Sequence, residues 1–255
     1  MIKPKTENRK PKTIPRHVAF IMDGNRRWAK QHRLSLITGH RKAAFETIEP
    51  LIDYAIKVGI SYLTFWAFST ENWRRDQEEV NGLLHLFREA LADNIEKLHV
   101  KGARMKYSGE ISKFPADIYN QIIEGVEKAK SNSNITINFA LNYGGRDEIL
   151  RAIEKLRASS KLSDVSIGVR PQASDKAQSS KLNKEEFEKY LDTAGLPDPD
   201  LIIRTGGEKR LSGFLLWQSE YSELYFTDVL FPDFTPEEFT KALTDYHERQ
   251  RRFGT

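Results

Sequence analysis

The sequence predicts a single α/β domain, a central and mainly parallel sheet flanked by helices. Three observations point there. Short apolar runs of strand length alternate with longer segments whose apolar residues recur at the helical period. Polar clusters rich in glycine, asparagine and arginine follow several of those runs, as the loops at one end of a parallel sheet would. The length, 255 residues without an internal repeat, suits one domain.

Taken in order, His17 to Met22 is an apolar run that ends at Asp23-Gly24, a buried strand leading into a loop. From His40 to Val58, Ala44, Ile48, Leu51, Ile52 and Ala55 keep the helical period, and Gly59 is placed to stop the helix. Tyr62 to Phe68 reads as a second strand. Asp76 and Glu79 form a capping box for a helix with the buried stripe Val80, Leu83, Leu84, Phe87, Leu91, Ile95 and Leu98. A strand near Arg104 to Tyr107 precedes a helix through Ile118, Ile122 and Val126. Ile135 to Leu141 is the next strand, and Asn142-Tyr143-Gly144-Gly145 opens a helix carrying Ile149, Leu150 and Ile153.

The segment 159–182 breaks the pattern. It is rich in Ser, Lys, Asp and Gln and is expected to be a mobile loop. Asn183 and Glu186 cap a new helix, Leu201 to Arg204 and Glu223 to Phe226 are strands, and Thr235-Pro236 with Glu238 starts the last helix. Residues 1–16 read as a flexible basic tail before a domain that spans 17–255.

Composition removes several classes of function. Hydrophobic residues make up 39% and charged residues 30%, the profile of a globular chain rather than a disordered one. With no cysteine, disulfides, thiolate metal sites and cysteine nucleophiles are excluded. The first sixteen residues have no apolar stretch that could act as a secretory signal, and no run approaches the roughly 20 residues of a membrane span. A cytoplasmic protein is expected, with the basic tail able to rest on anionic lipid as a peripheral contact. A net charge of +4 and the lack of a nucleic-acid module argue against a nucleic-acid partner.

The chemistry concentrates at the strand ends. Asp23-Gly24-Asn25-Arg26-Arg27-Trp28 follows the first strand and Ser69-Thr70-Glu71-Asn72-Trp73-Arg74-Arg75 the second. Asn142-Tyr143-Gly144-Gly145-Arg146 and Arg204-Thr205-Gly206-Gly207-Glu208-Lys209-Arg210 follow two later strands. Any one cluster alone reads as an ordinary turn. Together they place backbone N–H groups and arginine forks where oxyanions can approach. An acid amid so much positive charge suits a hard cation held partly by substrate phosphates, so the residues point to a Mg²⁺-dependent site for phosphorylated substrates. Walker A, GxGxxG, GxSxG, HExxH and DDxxD patterns are absent.

The stretches HVAFIMDGNRRWAK from His17, TGH ending at His40, FSTENWRR from Phe68, NYGGRDEI from Asn142, DLIIRTGGEKRLSGFLLWQ from Asp200 and SELYFTDVLFPDF from Ser222 together resemble the cis-prenyltransferase family of undecaprenyl diphosphate synthase-like isoprenyl transferases. The resemblance covers nearly the whole chain after the tail. It implies condensation of isopentenyl diphosphate onto an allylic diphosphate such as farnesyl diphosphate, with cis geometry. The implied product is undecaprenyl diphosphate, precursor of a cell-wall lipid carrier. It further implies a hydrophobic tunnel and a homodimer in which Arg252-Phe253-Gly254 completes the neighbouring site.

The same resemblance distributes roles. Asp23 and Asn72 are the implied catalytic positions, and Asp23 with Glu223 the Mg²⁺ ligands. Gly24, Asn25, Arg26, Arg27, Trp28, His40, Ser69, Trp73 and Arg75 would bind the allylic diphosphate. Arg204, Arg210, Ser212, Arg252 and Gly254 would bind isopentenyl diphosphate. The family usually carries arginine where this chain has Leu36, with Arg33 and Arg41 as candidate replacements. Phe65, Ala67, Leu84, Phe87 and Phe139 are expected to line the tunnel. The competing readings are a shorter- or longer-chain synthase, a non-catalytic scaffold subunit and a nucleic-acid binder; the retained acid and arginines disfavour the scaffold.

Overall fold

The computed structural model describes residues 14–159 and 182–249. Most of the expected basic tail, the loop at 159–182 beyond its two end residues, and Arg252 and Gly254 lie outside the described residues.

Among the described residues six strands form one sheet, β1 (His17–Ile21), β2 (Tyr62–Ser69), β3 (Ala103–Ser108), β4 (Ile135–Tyr143), β5 (Leu201–Arg204) and β6 (Glu223–Phe226). They lie in the order β3-β4-β2-β1-β5-β6, and every pairing is parallel. The chain therefore winds outward from β1 in both directions. Strand order reverses between β1 and β5, and a crevice opens beyond the carboxyl ends at such a switch point. Asp23 follows one of these strands and Thr205 the other.

Side chains alternate between the two faces of the sheet, as the strand repeat of two requires. On one face Val18, Phe20, Leu63, Phe65, Leu201 and Ile203 pack with Leu51, Ile52 and Ala55 of α3 (Ile48–Val58) and with Phe239, Ala242 and Tyr246 of the C-terminal helix Pro236–Glu248. On the other face Ala19, Ile21, Ala140 and Ile202 meet Tyr143, Phe214 and Leu215. That second face also buries a polar seam. His17 Nε2 lies 2.8 Å from Thr64 Oγ1, Asn138 donates to Thr64, and Ser108 donates to Asn138.

The helical layer differs from expectation in informative places. Asn25–Gln31 is a helix, α1, where a loop was expected; Gly24 begins it with a positive φ of 109° and no side-chain cap. The expected helix from His40 begins earlier, as α2 (Leu36–Lys42), and runs through a π-helical turn at Ala43–Thr47 into α3. Such turns often mark functional sites, and this one places Ala43 and Ala44 against a cavity. α4 (Gln77–Val100) starts at Asp76 without the expected capping box, because Glu79 pairs instead with Arg75 at 2.8 Å and with Arg26 at 3.6 Å.

α5 (Ala116–Lys128) packs on α4, around a cluster that includes Leu83, Leu84, Ile118 and Ile122. α6 (Gly145–Ala158) buries Glu148, Ala152 and Leu156, and turns Leu150 (60% exposed) and Ile153 (41%) outward. The short α7 (Lys184–Glu188) has its expected cap, Asn183 Oδ1 accepting from Glu186 N–H at 2.8 Å. The last helix is α8 (Pro236–Glu248), with Pro236 in its first turn. Among the described residues no helix is long and apolar enough to cross a membrane.

Candidate active site

The site is built at the switch point. Parallel pairing sets Ile21 of β1 beside Arg204 of β5, so the residues that follow each strand emerge together. The Asp23 carboxylate accepts from Arg204 Nη2 at 2.8 Å and from Arg27 Nη2 at 3.2 Å. Its backbone oxygen accepts from Thr205 Oγ1 at 2.7 Å and from the Phe231 N–H at 3.1 Å, so the main chain is fixed as well. Arg204 also donates to the Ser212 hydroxyl at 2.8 Å and to the Arg210 carbonyl.

β2 ends in irregular pairing with β4 just before Ser69, a bulge of the kind that re-aims a side chain. A 3₁₀ turn at Thr70–Arg74 follows, locked by a reciprocal capping box between Ser69 and Asn72. Asn72 Oδ1 accepts from the Ser69 N–H at 2.9 Å. That commits its acceptor and leaves the amide N–H groups as what Asn72 can offer a substrate.

Asp23, Asn25, His40, Ser69, Asn72, Arg75 and Ser212 all line one cavity of about 560 Å³. From this polar mouth it continues along Ala43, Ala44, Ile48, Ala67, Leu83, Leu86, Phe87, Ala90, Leu91, Phe139 and Leu141, and its far end carries Glu49, Lys97 and Lys101. A polar head and a long apolar tail fit such a shape. Arg27 and Gly206 line an adjacent polar pocket with Glu208 and Asp228.

Buried side-chain polar atoms usually have partners, and an unmet one costs about 1–3 kcal/mol. Around the mouth Asn25 Oδ1, His40 Nε2 and Arg204 Nε are buried without one. They are two ring or amide positions and one guanidinium N–H that a polar ligand can satisfy. Burial, reinforced by the positive charges of Arg75 and Arg26, lowers the His40 pKa to about 4. His40 is therefore neutral at pH 7 and adds a hydrogen-bonding group without charge.

Not every expected site residue meets the cavity. Trp73 packs on Phe68 and Phe114 and donates to Asn142 Oδ1 at 2.8 Å; it steadies the 3₁₀ turn from outside the cavity. Trp28 is buried between a stacked His32 ring and the Lys42 ammonium 4.8 Å from its ring centre. Arg210 is exposed and pairs with Glu208, and Arg26 is half exposed beside Glu79. Gly24 shapes the turn instead of lining the cavity, since a Cβ there would lie 2.9 Å from Leu230. Phe65 and Leu84 belong to the core, while the expected Ala67, Phe87 and Phe139 do line the tunnel. Arg41 pairs with Glu89 of α4, and Arg33 is exposed, so neither stands in the mouth for the missing arginine at Leu36.

Glu223 is the clearest departure. It is the first residue of β6 and pairs with Leu201, three positions before Arg204, so it stands toward the opposite end of the sheet from Asp23. It accepts from Arg249 Nη1 at 2.9 Å. Within one chain the expected pairing of Asp23 and Glu223 on one metal is not formed. Two residues had no site role from sequence: Glu71, which lines the cavity, and Glu79, expected only as a helix cap, which pairs with Arg75 and Arg26. The four-residue step from Arg75 to Glu79 was a legible signal for the second.

Residues 21–254 match the family model described as "Putative undecaprenyl diphosphate synthase". The chain belongs to that family. It is 45% identical over 241 residues to an isoprenyl transferase of Clostridium perfringens, covering 94% of this chain and 90% of the relative. With an isoprenyl transferase of Aquifex aeolicus it shares 46% identity, covering 94% and 96%. Among solved structures it is similar to lavandulyl diphosphate synthase from Lavandula x intermedia in complex with dimethylallyl diphosphate, at a TM-score of 0.85, 32% identity and coverage of 95% and 99%. It is also similar to a "probable undecaprenyl diphosphate synthase" from Campylobacter jejuni, at 0.75, 31% identity and coverage of 95% and 100%. As a member of the undecaprenyl diphosphate synthase family, the chain is a prenyltransferase enzyme with the α/β fold expected from its sequence.

Proposed function

We propose that this enzyme condenses isopentenyl diphosphate onto an allylic diphosphate such as farnesyl diphosphate with cis geometry, using Mg²⁺, and that undecaprenyl diphosphate for a cell-wall lipid carrier is its product. The observation that carries the reading is the Asp23–Arg204 contact at the mouth of an apolar cavity. Charge for a diphosphate and room for a hydrocarbon tail meet there.

The residues fit a hard cation. The Asp23 carboxylate and the unpartnered Asn25 Oδ1 are oxygen donors at the mouth, and a Mg²⁺ ion that takes few protein ligands completes its shell with substrate phosphates and water. When bound, Mg²⁺ supplies charge neutralisation on the departing diphosphate. Asp23 would hold it, and Arg27 and Arg75 would grip diphosphate oxygens bidentately. Neutral His40 would donate a hydrogen bond. Arg204, Arg210 and Ser212 would receive isopentenyl diphosphate.

In the reaction the terminal alkene carbon of isopentenyl diphosphate bonds to the allylic carbon as the allylic C–O bond breaks. Diphosphate leaves with the bonding electrons, positive charge develops on C3 of isopentenyl diphosphate, and loss of a proton from its C2 forms the cis C2–C3 double bond. We assign the proton to a diphosphate oxygen steadied by the Asn72 amide. Holding the two substrates end to end can remove roughly 7–11 kcal/mol of barrier. Each five-carbon unit drawn into the apolar cavity adds about 4 kcal/mol at most, at about 0.8 kcal/mol per buried carbon.

The proposed setting is the cytoplasm, with the basic segment 1–16 resting on anionic lipid and two copies of the chain forming a homodimer. Outward-facing Leu150 and Ile153 of α6, with exposed Leu216 and Tyr221, support a covered apolar surface. Arg252-Phe253-Gly254 would complete the neighbouring site.

The test is incubation of purified protein with farnesyl diphosphate, radiolabelled isopentenyl diphosphate and Mg²⁺, against an EDTA control, with products separated by length. A Mg²⁺-dependent ladder ending in one dominant length is expected. Failure with farnesyl diphosphate and with shorter and longer primers would replace the synthase by a scaffold subunit.

A further inference from the structure

Beyond its polar mouth the cavity is lined by apolar residues with Asn94 among them, and it then ends in charge. Its far end is bounded by Ile52, Leu98 and Met105, and beside them stand Glu49 of α3, Lys97 near the end of α4 and Lys101 just past it. These three form a network. Glu49 lies 3.2 Å from the Lys101 ammonium and 3.6 Å from that of Lys97, and Lys101 also pairs with Asp53 of α3 at 2.5 Å. The network ties α3 to the end of α4, with Lys97 about 21 Å along the α4 axis from Leu83.

We propose that the ion-pair clasp of Glu49, Asp53, Lys97 and Lys101 closes the far end of the tunnel and sets the length of the polyprenyl product. The inference rests on the synthase reading above. As the chain grows, each new unit pushes the hydrocarbon end further from the diphosphate, and burial favours the advance while the walls stay apolar. At the clasp the balance reverses. A hydrocarbon end that displaces the water around Lys101 and Glu49 strips solvent from ionised groups, and one that parts them leaves charges facing an apolar chain. Lys101 is 22% exposed and Glu49 33%, so the clasp is half desolvated before any tail arrives.

An ion pair away from the cavity is expected to have no such effect. Lys128 and Glu96 also pair, between α5 and α4, but neither lines the cavity. They provide the control.

The experiment measures product length for the full chain and for the Glu49→Ala, Lys101→Ala and Lys128→Ala variants, with one allylic primer, radiolabelled isopentenyl diphosphate and Mg²⁺. Thermal melts verify folding. The dominant product is expected to lengthen by at least one five-carbon unit in both clasp variants and to stay unchanged in Lys128→Ala. Raising ionic strength is expected to lengthen the wild-type product, because salt screens exposed pairs. An unchanged length in both clasp variants, or equal lengthening in Lys128→Ala, overturns the clasp while leaving the synthase reading intact. Should a clasp variant fail to fold, the salt series on the wild-type chain decides. A wild-type chain inert with every primer removes the synthase reading, and the clasp with it.

Discussion

The carboxylate of Asp23 and the guanidinium of Arg204 meet at 2.8 Å, although they are 181 positions apart in the chain. Adjacent parallel strands deliver them to the same crevice. Asp23→Asn keeps the size of the side chain and removes its charge. Turnover with Mg²⁺ is expected to fall about 100-fold or more, the scale for losing one preorganised electrostatic group. The fold should survive. Asp23 is 30% exposed, so leaving Arg204 without its counter-charge costs well below the roughly 3–5 kcal/mol of a fully buried pair. Steady-state kinetics and urea unfolding read the two effects separately, and near-normal turnover would remove Asp23 from the mechanism.

His17 predicts a pH dependence of stability. Burial lowers its pKa from 6.5 to about 4, outweighing the opposing effects of the Pro197 carbonyl, Asp200 and the Asp198 backbone. The folded state therefore favours the neutral ring, and the unfolded state binds the proton more readily. This stability is fully present above about pH 6.5 and is lost as pH falls through about 4. At 1.36 kcal/mol per pKa unit, the loss is on the order of 3 kcal/mol. His17→Gln should flatten that limb of the urea-midpoint profile; an unchanged slope would assign acid sensitivity elsewhere.

The strands were the most legible part of the fold, because apolar runs bounded by glycine and polar clusters leave little choice of limits. β1, β2 and β4 differ from their expected ranges by one or two residues. α1 was hidden: seven residues starting from Asn25 behind an uncapped glycine carry no N-terminal signal, and Arg26 and Arg27 read as a phosphate loop. Motif order named the residues of the mouth but could not say which end of a strand each would occupy. So Asp23 and Arg204 converge, while Glu223 stands toward the other end of the sheet. Trp73 illustrates a related limit, since a motif neighbour of Asn72 can serve the turn without facing the ligand. Glu49 and Lys101 belong to no motif and lie 52 positions apart, so only the folded chain reveals that they pair.

Gly206 is held against the site by its own conformation. Its φ is +83°, and a Cβ there would lie 2.5 Å from Arg27 Nη2 and 3.2 Å from the Asp23 backbone. Gly206→Ala is expected to cost about 1–3 kcal/mol in backbone strain and to displace Arg27 from Asp23. Turnover should fall more than stability does, because the flexible arginine yields before the strand end. Equal activity at a lowered melting temperature would show that Arg27 can move without consequence.

Glu148 supplies a test in which an isosteric change is expected to fail. Its carboxylate is fully buried and accepts from four donors: the Thr193 N–H and hydroxyl at 3.2 Å each, Gln218 Nε2 at 3.0 Å and the Tyr143 hydroxyl. Burial raises its pKa, against the hydrogen bonds from Tyr143 and Gln218, which lower it. Burial alone would make Glu148→Gln a relief, since the charge disappears. The donors argue the opposite, because a glutamine amide turns two N–H groups toward sites already supplied with hydrogens. Each blocked donor costs about 1–3 kcal/mol and one amide group blocks two, so we expect Glu148→Gln to destabilise by roughly 2–6 kcal/mol. The same cluster fixes Gln218, in the segment after Ser212, and α6 itself bonds to that segment through the Gly145 N–H and the Gly213 carbonyl at 2.8 Å. Loss of the cluster should therefore also raise KM for isopentenyl diphosphate more than for the allylic substrate. A variant as stable as the parent with both KM values unchanged would show that desolvation of the carboxylate, and not its four donors, governs this site.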